Sequence, residues 1–350
     1  MGGFEYSPLE LLLMKITLAV FITVGAIGNL GVILAVVGIK KWRTPSNLLL
    51  ANLATADLIV NVWTFPITLA SIIQGDRAGS VTFCKISGFV DNVVILVSVW
   101  TLAASSVVRF VHITRPNQSR TCSYSAVLRV TLMIWTSSVL VAGMPMLGWD
   151  EYVFSPVTFS CSIHGLPGFH RYYFLFFCII AFPGPFVLMS FSYSMIFRKM
   201  CTVQNNTRKQ TMRQVRASII LLIIIIMFSI STLPTFIVAL LFWSKITVNI
   251  PIQVPIVLHW VLQSNASLNP VIYSLLNAQY RSTWADFVSR HRTRARQRRS
   301  LANTPLNLER SRGGGYSRTI LAPRPLVRRQ AVTIPVCGVG DGRRKSTEIL

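Results

Sequence analysis

Seven long apolar runs divide the chain, near 11–38, 47–73, 82–111, 126–148, 171–198, 217–243 and 252–275, with short polar stretches between them. About 20 mostly apolar residues suffice to cross a hydrocarbon core of about 30 Å. Each run reaches that length. Prolines interrupt several of them (Pro66, Pro145, Pro185, Pro234, Pro270), which spanning helices tolerate when neighbours re-satisfy the freed carbonyls. The pattern predicts an all-α membrane protein, a seven-transmembrane helix bundle. The first run starts within a dozen residues of Met1, lacks a cleavage-site pattern and is too long for a signal-peptide core, so it reads as a retained span. After the seventh run, Tyr280, Trp284, Phe287 and Val288 share one face, with Arg281 and Arg290 nearby. That suits a short amphipathic eighth helix in the interface plane. The expected organisation is a short extracellular N-terminus (1–12), the bundle (13–276), the interfacial helix (277–290) and a disordered basic cytoplasmic tail (291–350).

Composition agrees with this pattern and charge orients it. The chain is 52% hydrophobic and only 13% charged, against about 25% charged in an average soluble domain. That apolar content excludes disorder over most of the length. Yet 34 Lys and Arg face 11 Asp and Glu, a net charge of +23. A nucleic-acid partner would explain a basic excess but not the apolar runs between the basic patches, so none is expected. The loop near 39–46 carries Lys40, Lys41 and Arg43. The loop near 112–125 carries Arg115 and Arg120, and that near 198–216 carries six basic residues, from Arg198 to Arg216. The opposite side holds a mixed set: Glu5, Glu10, Asp76, Arg77, Asp150, Glu151, Arg171 and Lys245. Positive loops stay in the cytoplasm. The chain is thus expected to be a multi-pass protein of the cell membrane, with the N-terminus outside and the C-terminus inside. From Arg281 onward, 16 basic residues face 4 acidic ones, a tail that anionic lipid attracts.

Ionisable groups at membrane depth are costly and mark function by default. Asp57 falls in the middle of the second span, Asp91 in the outer part of the third, Arg109 at its inner end and His259 in the seventh. On a helix rising 1.5 Å per residue, Asp91 lies about 10 Å below Cys84. Ser98 is seven residues further on nearly the same face. Of the six cysteines, this topology puts only Cys84 and Cys161 on the oxidising outer side. A disulfide between them would pin the loop of residues 149–170 over the third helix.

These residues resemble the rhodopsin-like (class A) G-protein-coupled receptor family over about residues 15–290. The marks are Gly28-Asn29, Leu53-Ala54-Thr55-Ala56-Asp57, Cys84 with Arg109 at the family's separation, Trp135, and Pro185 with Tyr193. Phe228 with Pro234, Asn269-Pro270-Val271-Ile272-Tyr273 and Tyr280-Arg281 complete them. The resemblance implies a bundle that binds an extracellular small-molecule or short-peptide ligand and activates a heterotrimeric G protein. Asp57, Ser98, Asn265 and Asn269 match a pocket that holds an allosteric sodium ion; no other cofactor is implied. Arg109, Tyr193 and Tyr273 match an inner switch that rearranges as the sixth helix swings outward about Pro234. Asp91, Asn92, His259, Gln263 and Phe236 are the candidate ligand contacts. In biogenic-amine receptors an aspartate at the position of Asp91 pairs with an ammonium; the alternative is an aspartate hydrogen-bonded to Asn92, Gln263 or His259.

The sequence departs from the family at several of these positions. Val108 replaces the acidic residue before the inner arginine, and Phe110 replaces the tyrosine after it. Gln214 stands where some members place a second acidic lock. Ser231-Thr232-Leu233-Pro234 lacks the family's toggle tryptophan. Gln263 occupies the position of the opsins' retinal-binding lysine, which argues against a Schiff-base photoreceptor. Missing locks are expected to raise basal activity, since about 1–2 kcal/mol shifts a two-state population several-fold. The same departures allow a second reading, an atypical scavenger or arrestin-biased receptor with little G-protein coupling. A membrane hydrolase would need a His and carboxylate cage, and only His259 of the five histidines lies well inside a span. A transporter would show inverted repeats, which the sequence lacks. No enzymatic activity is expected.

Overall fold

The computed structural model describes residues 6–115, 122–163, 170–202, 208–244, 251, 253–276, 280–282, 285, 289 and 293. The chain divides into Met1–Ser289 and Arg290–Leu350; of the second unit only Thr293 is described, so the predicted tail lies outside the described residues.

Helix α1 spans Pro8–Gly38. Ser7 caps it in a reciprocal box with Glu10, whose N–H donates to Ser7 Oγ at 3.2 Å while the Ser7 N–H donates to Glu10 Oε2 at 2.7 Å. Pro8 sits at the first helical position, where its missing N–H costs nothing. Helix α2 spans Pro45–Gln74 and widens into a π turn over Val60–Thr64, where the Phe65 N–H reaches back to the Val60 carbonyl. The turn ends beside Pro66, which cannot donate a helical hydrogen bond. Helix α3 spans Val81–Thr114 and is capped by Ser80. Helix α4 spans Tyr124–Gly143 and tightens into a 3₁₀ turn over Met144–Leu147. Helix α5 comes in two pieces, His170–Ala181 and Pro183–Thr202. Helix α6 spans Arg208–Ser244 and α7 spans Gln253–Leu276, with Pro234 and Pro270 in their interiors.

Six of these helices are long and apolar enough to cross a membrane by length and composition. The sequence predicts seven spans. The last, α7, falls short of that apolarity because polar residues, among them Gln263, Asn265, Ser267 and Asn269, interrupt it. It is still packed against α1, α2 and α6. The outer surface is apolar: α1 alone exposes Leu12, Ile16, Val20, Ile27, Leu30 and Leu34. Such a surface suits lipid rather than water.

The central helix is α3, which packs on α2, α4 and the inner piece of α5. Asn52 ties three helices: its Nδ2 donates to Thr101 Oγ1 at 2.7 Å, and its Oδ1 accepts from Trp135 Nε1 at 2.8 Å. A second polar junction joins α1, α2 and α7. Pro270 leaves the Ala266 carbonyl, four residues earlier, without its helical donor. Asn29 and Asn61 supply replacements at 2.9 and 3.2 Å. Ser267 donates to Asn61 Oδ1 at 2.7 Å. This junction requires glycine at position 25, where an added Cβ would lie 1.9 Å from Asn61 Oδ1.

Between α4 and α5 the chain forms a hairpin, β1 (Tyr152–Ser155) and β2 (Ser160–Ile163), antiparallel with Phe154 opposite Cys161. It lies on the outer end of α3, and Gly88 makes that approach possible, since a Cβ there would lie 2.7 Å from the Tyr152 ring. Tyr280 and Arg281, from the segment predicted as an eighth helix, are helical. Tyr280 packs on Trp42 at 5.8 Å between ring centroids, and Arg281 Nη1 donates to the Leu275 carbonyl at 2.5 Å. Most of residues 277–290 lies outside the described residues.

Candidate ligand and switch site

Among the described residues, a hairpin lies over the outer end of α3. Cys84 and Cys161 form the expected disulfide, with Cα atoms 5.6 Å apart. It fixes the hairpin above Asp91. Tyr152 is buried, and its hydroxyl donates to the Ala142 carbonyl at 2.8 Å. Tyr6 packs on Phe159 at 5.5 Å, and its hydroxyl donates to the Val157 carbonyl. Burial pushes the Tyr6 phenol up to about 12. A Lys85–Glu151 pair at 2.6 Å bridges α3 and the hairpin. Both side chains are partly solvated, so the pair contributes little.

Under this cover Asp91 is buried. Thr64 Oγ1 donates to Asp91 Oδ1 at 3.2 Å, and Gln263 is its second side-chain partner. The π turn of α2 ends at Thr64 itself. The adjoining cavity, bounded by Thr64, Ser87, Phe159, Ser160 and Cys161, holds only about 10 Å³. The five predicted ligand contacts do not converge. Gln263 meets Asp91, whereas Asn92 turns away and donates Nδ2 to the Gly88 carbonyl at 2.8 Å. His259 makes no hydrogen bond to Asp91. Phe236 lies against Phe182, 5.0 Å between centroids, beside a separate cavity of about 300 Å³ between α5 and α6.

Asp57, Ser98, Asn265 and Asn269, which the resemblance groups together, do share a cavity of about 50 Å³, with Leu53, Phe228 and Gln263 in its wall. Asp57 is 4% exposed and accepts from Asn269 Nδ2 at 2.8 Å. Asn265 Nδ2 donates to Ser231 Oγ at 2.5 Å, tying α7 to α6 three residues before Pro234. A buried carboxylate beside hydroxyl and amide oxygens is a donor set that fits a hard cation. The pocket would surround a sodium ion with Asp57, Ser98, Asn265 and Asn269. Such an ion would supply a compensating charge to a carboxylate that is otherwise costly to bury. Among the described residues there is no group of three or more His, Cys, Asp or Glu arranged for a metal.

At the inner end, Arg109 and Tyr273 line one cavity of about 50 Å³ with Leu53, Ile220 and Leu221. Tyr193 donates to the Ser218 carbonyl of α6 at 3.1 Å. Among the described residues the Tyr273 hydroxyl is buried without a partner. Val108 points elsewhere, into an apolar cluster with Leu49 and Val127. Phe110 packs edge-on against Phe191 at 6.0 Å. The Gln214 side chain lies outside the described set.

Sequence reasoning missed Thr64, Asn61 and the hairpin. Thr64 was findable in part: it lies seven residues beyond Asp57, two turns outward on nearly the same face.

A family model, 7 transmembrane receptor (rhodopsin family), matches residues 28–273. The chain belongs to that receptor family. Among its relatives are a rhodopsin, GQ-coupled, of Mizuhopecten yessoensis, 31% identical, with the match covering 75% of this chain and 58% of that protein. Melanopsin-B of Xenopus laevis is 27% identical, covering 75% and 52%. Melatonin receptor type 1C of Gallus gallus is 26% identical, covering 76% and 79%. The chain spans little more than half the length of the first two. The crystal structure of squid rhodopsin shares the fold, with a TM-score of 0.74 at 23% identity, covering 81% of this chain and 87% of that one. The opsin lysine position is here Gln263, which offers no amine and is engaged with Asp91. This position does not fit a Schiff-base chromophore.

Proposed function

We propose that the chain is a G-protein-coupled receptor, with its N-terminus outside and its basic tail in the cytoplasm. It would bind a small molecule in the outer half of the bundle and activate a heterotrimeric G protein by outward movement of α6. The observation that carries this reading is the inner cavity that Arg109 and Tyr273 share with Ile220 and Leu221 of α6. Beside it, Tyr193 donates to the Ser218 carbonyl of α6. A swing of α6 about Pro234 would break that bond and open a surface around Arg109. The cavity at Asp91 holds only about 10 Å³, about the room of one water, so a small molecule or short peptide would enter there only as the outer cover moves. Asp57, with the groups around it, would hold a sodium ion in the closed state. The tail would lie near anionic lipid, and arrestin would be a further partner of the active state.

A GQ-coupled and a G0-coupled rhodopsin of Mizuhopecten yessoensis are among the relatives, so those two transducers head the assay. Full-length receptor in lipid nanodiscs should catalyse nucleotide exchange on one of them. Arg109→Ala should lower that exchange about tenfold or more, equivalent to about 1.4 kcal/mol of coupling. Absence of exchange across a G-protein panel would overturn the reading in favour of the arrestin-biased one. An Asp91→Asn receptor with wild-type surface expression and an unchanged ligand response would remove Asp91 from the ligand site.

A further inference from the structure

Arg109 lacks an anionic partner. Val108 precedes it and Gln214 stands on α6, so neither position offers a carboxylate. Among the described residues Arg109 makes no ion pair and no hydrogen bond. Burial strips most of the water from its guanidinium, and the groups that act on its charge are Tyr193 and Tyr273. Both are neutral phenols, and Tyr193 already donates to the Ser218 carbonyl. His112, three residues further along α3, meets Arg109 as a like charge. A desolvated cation with five N–H donors and no acceptor is costly.

The surroundings suit an anion. Arg109 lines the inner cavity of about 50 Å³ with Ser46 and Asn47 of α2 and Ser105 of α3. Ser105 lies one turn before Arg109, on the same face. Hydroxyls inside helices ordinarily bond back to a carbonyl three or four residues earlier. The neighbouring Ser106 does so, to Leu102 at 2.9 Å. Ser105 and Ser46 do not, and neither hydroxyl has a partner among the described residues. Ser46 is also the second residue of α2. Thr44 caps that end by accepting from the Asn47 N–H at 3.3 Å, which leaves the Ser46 N–H without a helical acceptor. A helix start favours negative charge. The cavity thus gathers a guanidinium, two unspent hydroxyls and a helix N-terminus, with no acidic residue in its wall.

We propose that the inner cavity is a site for a small monovalent inorganic anion of the halide class, held by Arg109 with Ser46 and Ser105. The volume is several times the roughly 10–15 Å³ that admits one water, so a halide fits with a companion water. It is far below the roughly 300 Å³ at which sites for larger molecules begin, which excludes a lipid headgroup or an acidic peptide. One such ion balances the one guanidinium. Bound there, it would stand in for the carboxylate that positions 108 and 214 do not provide and hold Arg109 in the closed bundle. The site belongs to the closed bundle and does not depend on G-protein coupling.

The test compares thermal midpoints of the full-length protein in phospholipid nanodiscs. Chloride is exchanged for gluconate, a bulky anion, at constant sodium and constant ionic strength. Neither a G protein nor a receptor ligand enters the readout. The wild-type midpoint should rise with chloride and saturate, and bromide should act likewise. Arg109→Gln should raise half-saturation about tenfold or more, as loss of a charge-assisted hydrogen bond does. Ser105→Ala should raise it several-fold, through one neutral hydrogen bond. Ser105→Asp sets a carboxylate one turn from Arg109. It should abolish the chloride response, and it keeps the test valid if Arg109→Gln does not fold. Wild type should broaden the chloride NMR resonance, and Ser105→Asp should not. Equal wild-type midpoints in chloride and gluconate would overturn the proposal. So would a chloride response that folded Arg109→Gln or folded Ser105→Asp retains with wild-type half-saturation.

Discussion

Asn29 donates to the carbonyl of Ala266 at 2.9 Å, from the middle of α1 into α7. That carbonyl is the one Pro270 leaves without a helical donor, and Asn61 shares it at 3.2 Å. The proline bend and the two asparagines are one device: the kink is tolerated because neighbouring helices complete its hydrogen bonds. Asn29→Ala should therefore cost only about 1 kcal/mol, because Asn61 remains. The thermal midpoint should fall by about 3 °C. The Asn29→Ala/Asn61→Ala double variant orphans the carbonyl and should lose more than the sum of the single changes. Strictly additive midpoints would show that the shared acceptor does not matter.

A sodium ion held at Asp57 would have a stability effect that needs no signalling assay. Asp57, Ser98, Asn265 and Asn269 surround one cavity, and a bound cation would stabilise the folded state by mass action. At ten times its dissociation constant the gain is about 1.4 kcal/mol. Replacing potassium by sodium at constant ionic strength should raise the melting temperature of the wild type. Asp57→Asn should abolish that increment, and Ser98→Ala should reduce it. An equal response of wild type and Asp57→Asn to sodium would exclude the site.

What the sequence made legible, and what it did not, divides by range. The seven helices follow from the long apolar runs and the Cys84–Cys161 pair from the sidedness of the loops, whereas the grouping of Asp57, Ser98, Asn265 and Asn269 came from the resemblance to the receptor family. The sequence reading grouped Asn92 with Asp91, yet successive residues stand about 100° apart on a helix. Asn92 accordingly turns to Gly88. The hairpin over Asp91 was not legible, because it forms only where Gly88 admits Tyr152. The missing tryptophan at Thr232 was plain in the sequence. The cavity beside it depends on the break in α5 after Ala181, which no pattern in α6 could reveal.

The outer cover should be held by the disulfide and by Tyr6. The bond between Cys84 and Cys161 closes a loop of 77 residues, for which chain entropy gives an upper figure of about 4.5 kcal/mol. Cys84→Ser, or reductant during a thermal scan, should lower the midpoint markedly. It should also raise hydrogen exchange in Tyr152–Ile163. Tyr6 adds a pH signature. Its phenol is raised to about 12 by burial, above an ordinary value of about 10, so the fold favours the neutral form. The Tyr6 contribution should be complete below about pH 10 and be lost as pH rises through about 12. The midpoint difference between wild type and Tyr6→Phe should stay flat from neutrality to about pH 10 and shrink above it. A difference already changing near neutral pH would place the titration elsewhere.

The inner end carries the last expectation, raised basal activity. Arg109 lacks an adjacent carboxylate because Val108 fills that position, buried with Leu49 and Val127. Restoring the acid by Val108→Asp would set a carboxylate next to Arg109 and stabilise the closed state. A gain of about 1–2 kcal/mol should cut ligand-free nucleotide exchange by about five- to thirtyfold. The same change places a polar group among apolar neighbours, which itself costs stability. Val108→Asn carries that cost without the charge, so the comparison isolates the lock. Exchange should fall in Val108→Asp and stay near wild type in Val108→Asn, each normalised to folded receptor. If both variants lose exchange equally, burial rather than a missing lock sets the basal level. If neither does, Arg109 is already held by other groups and the closed state does not depend on an acid at position 108.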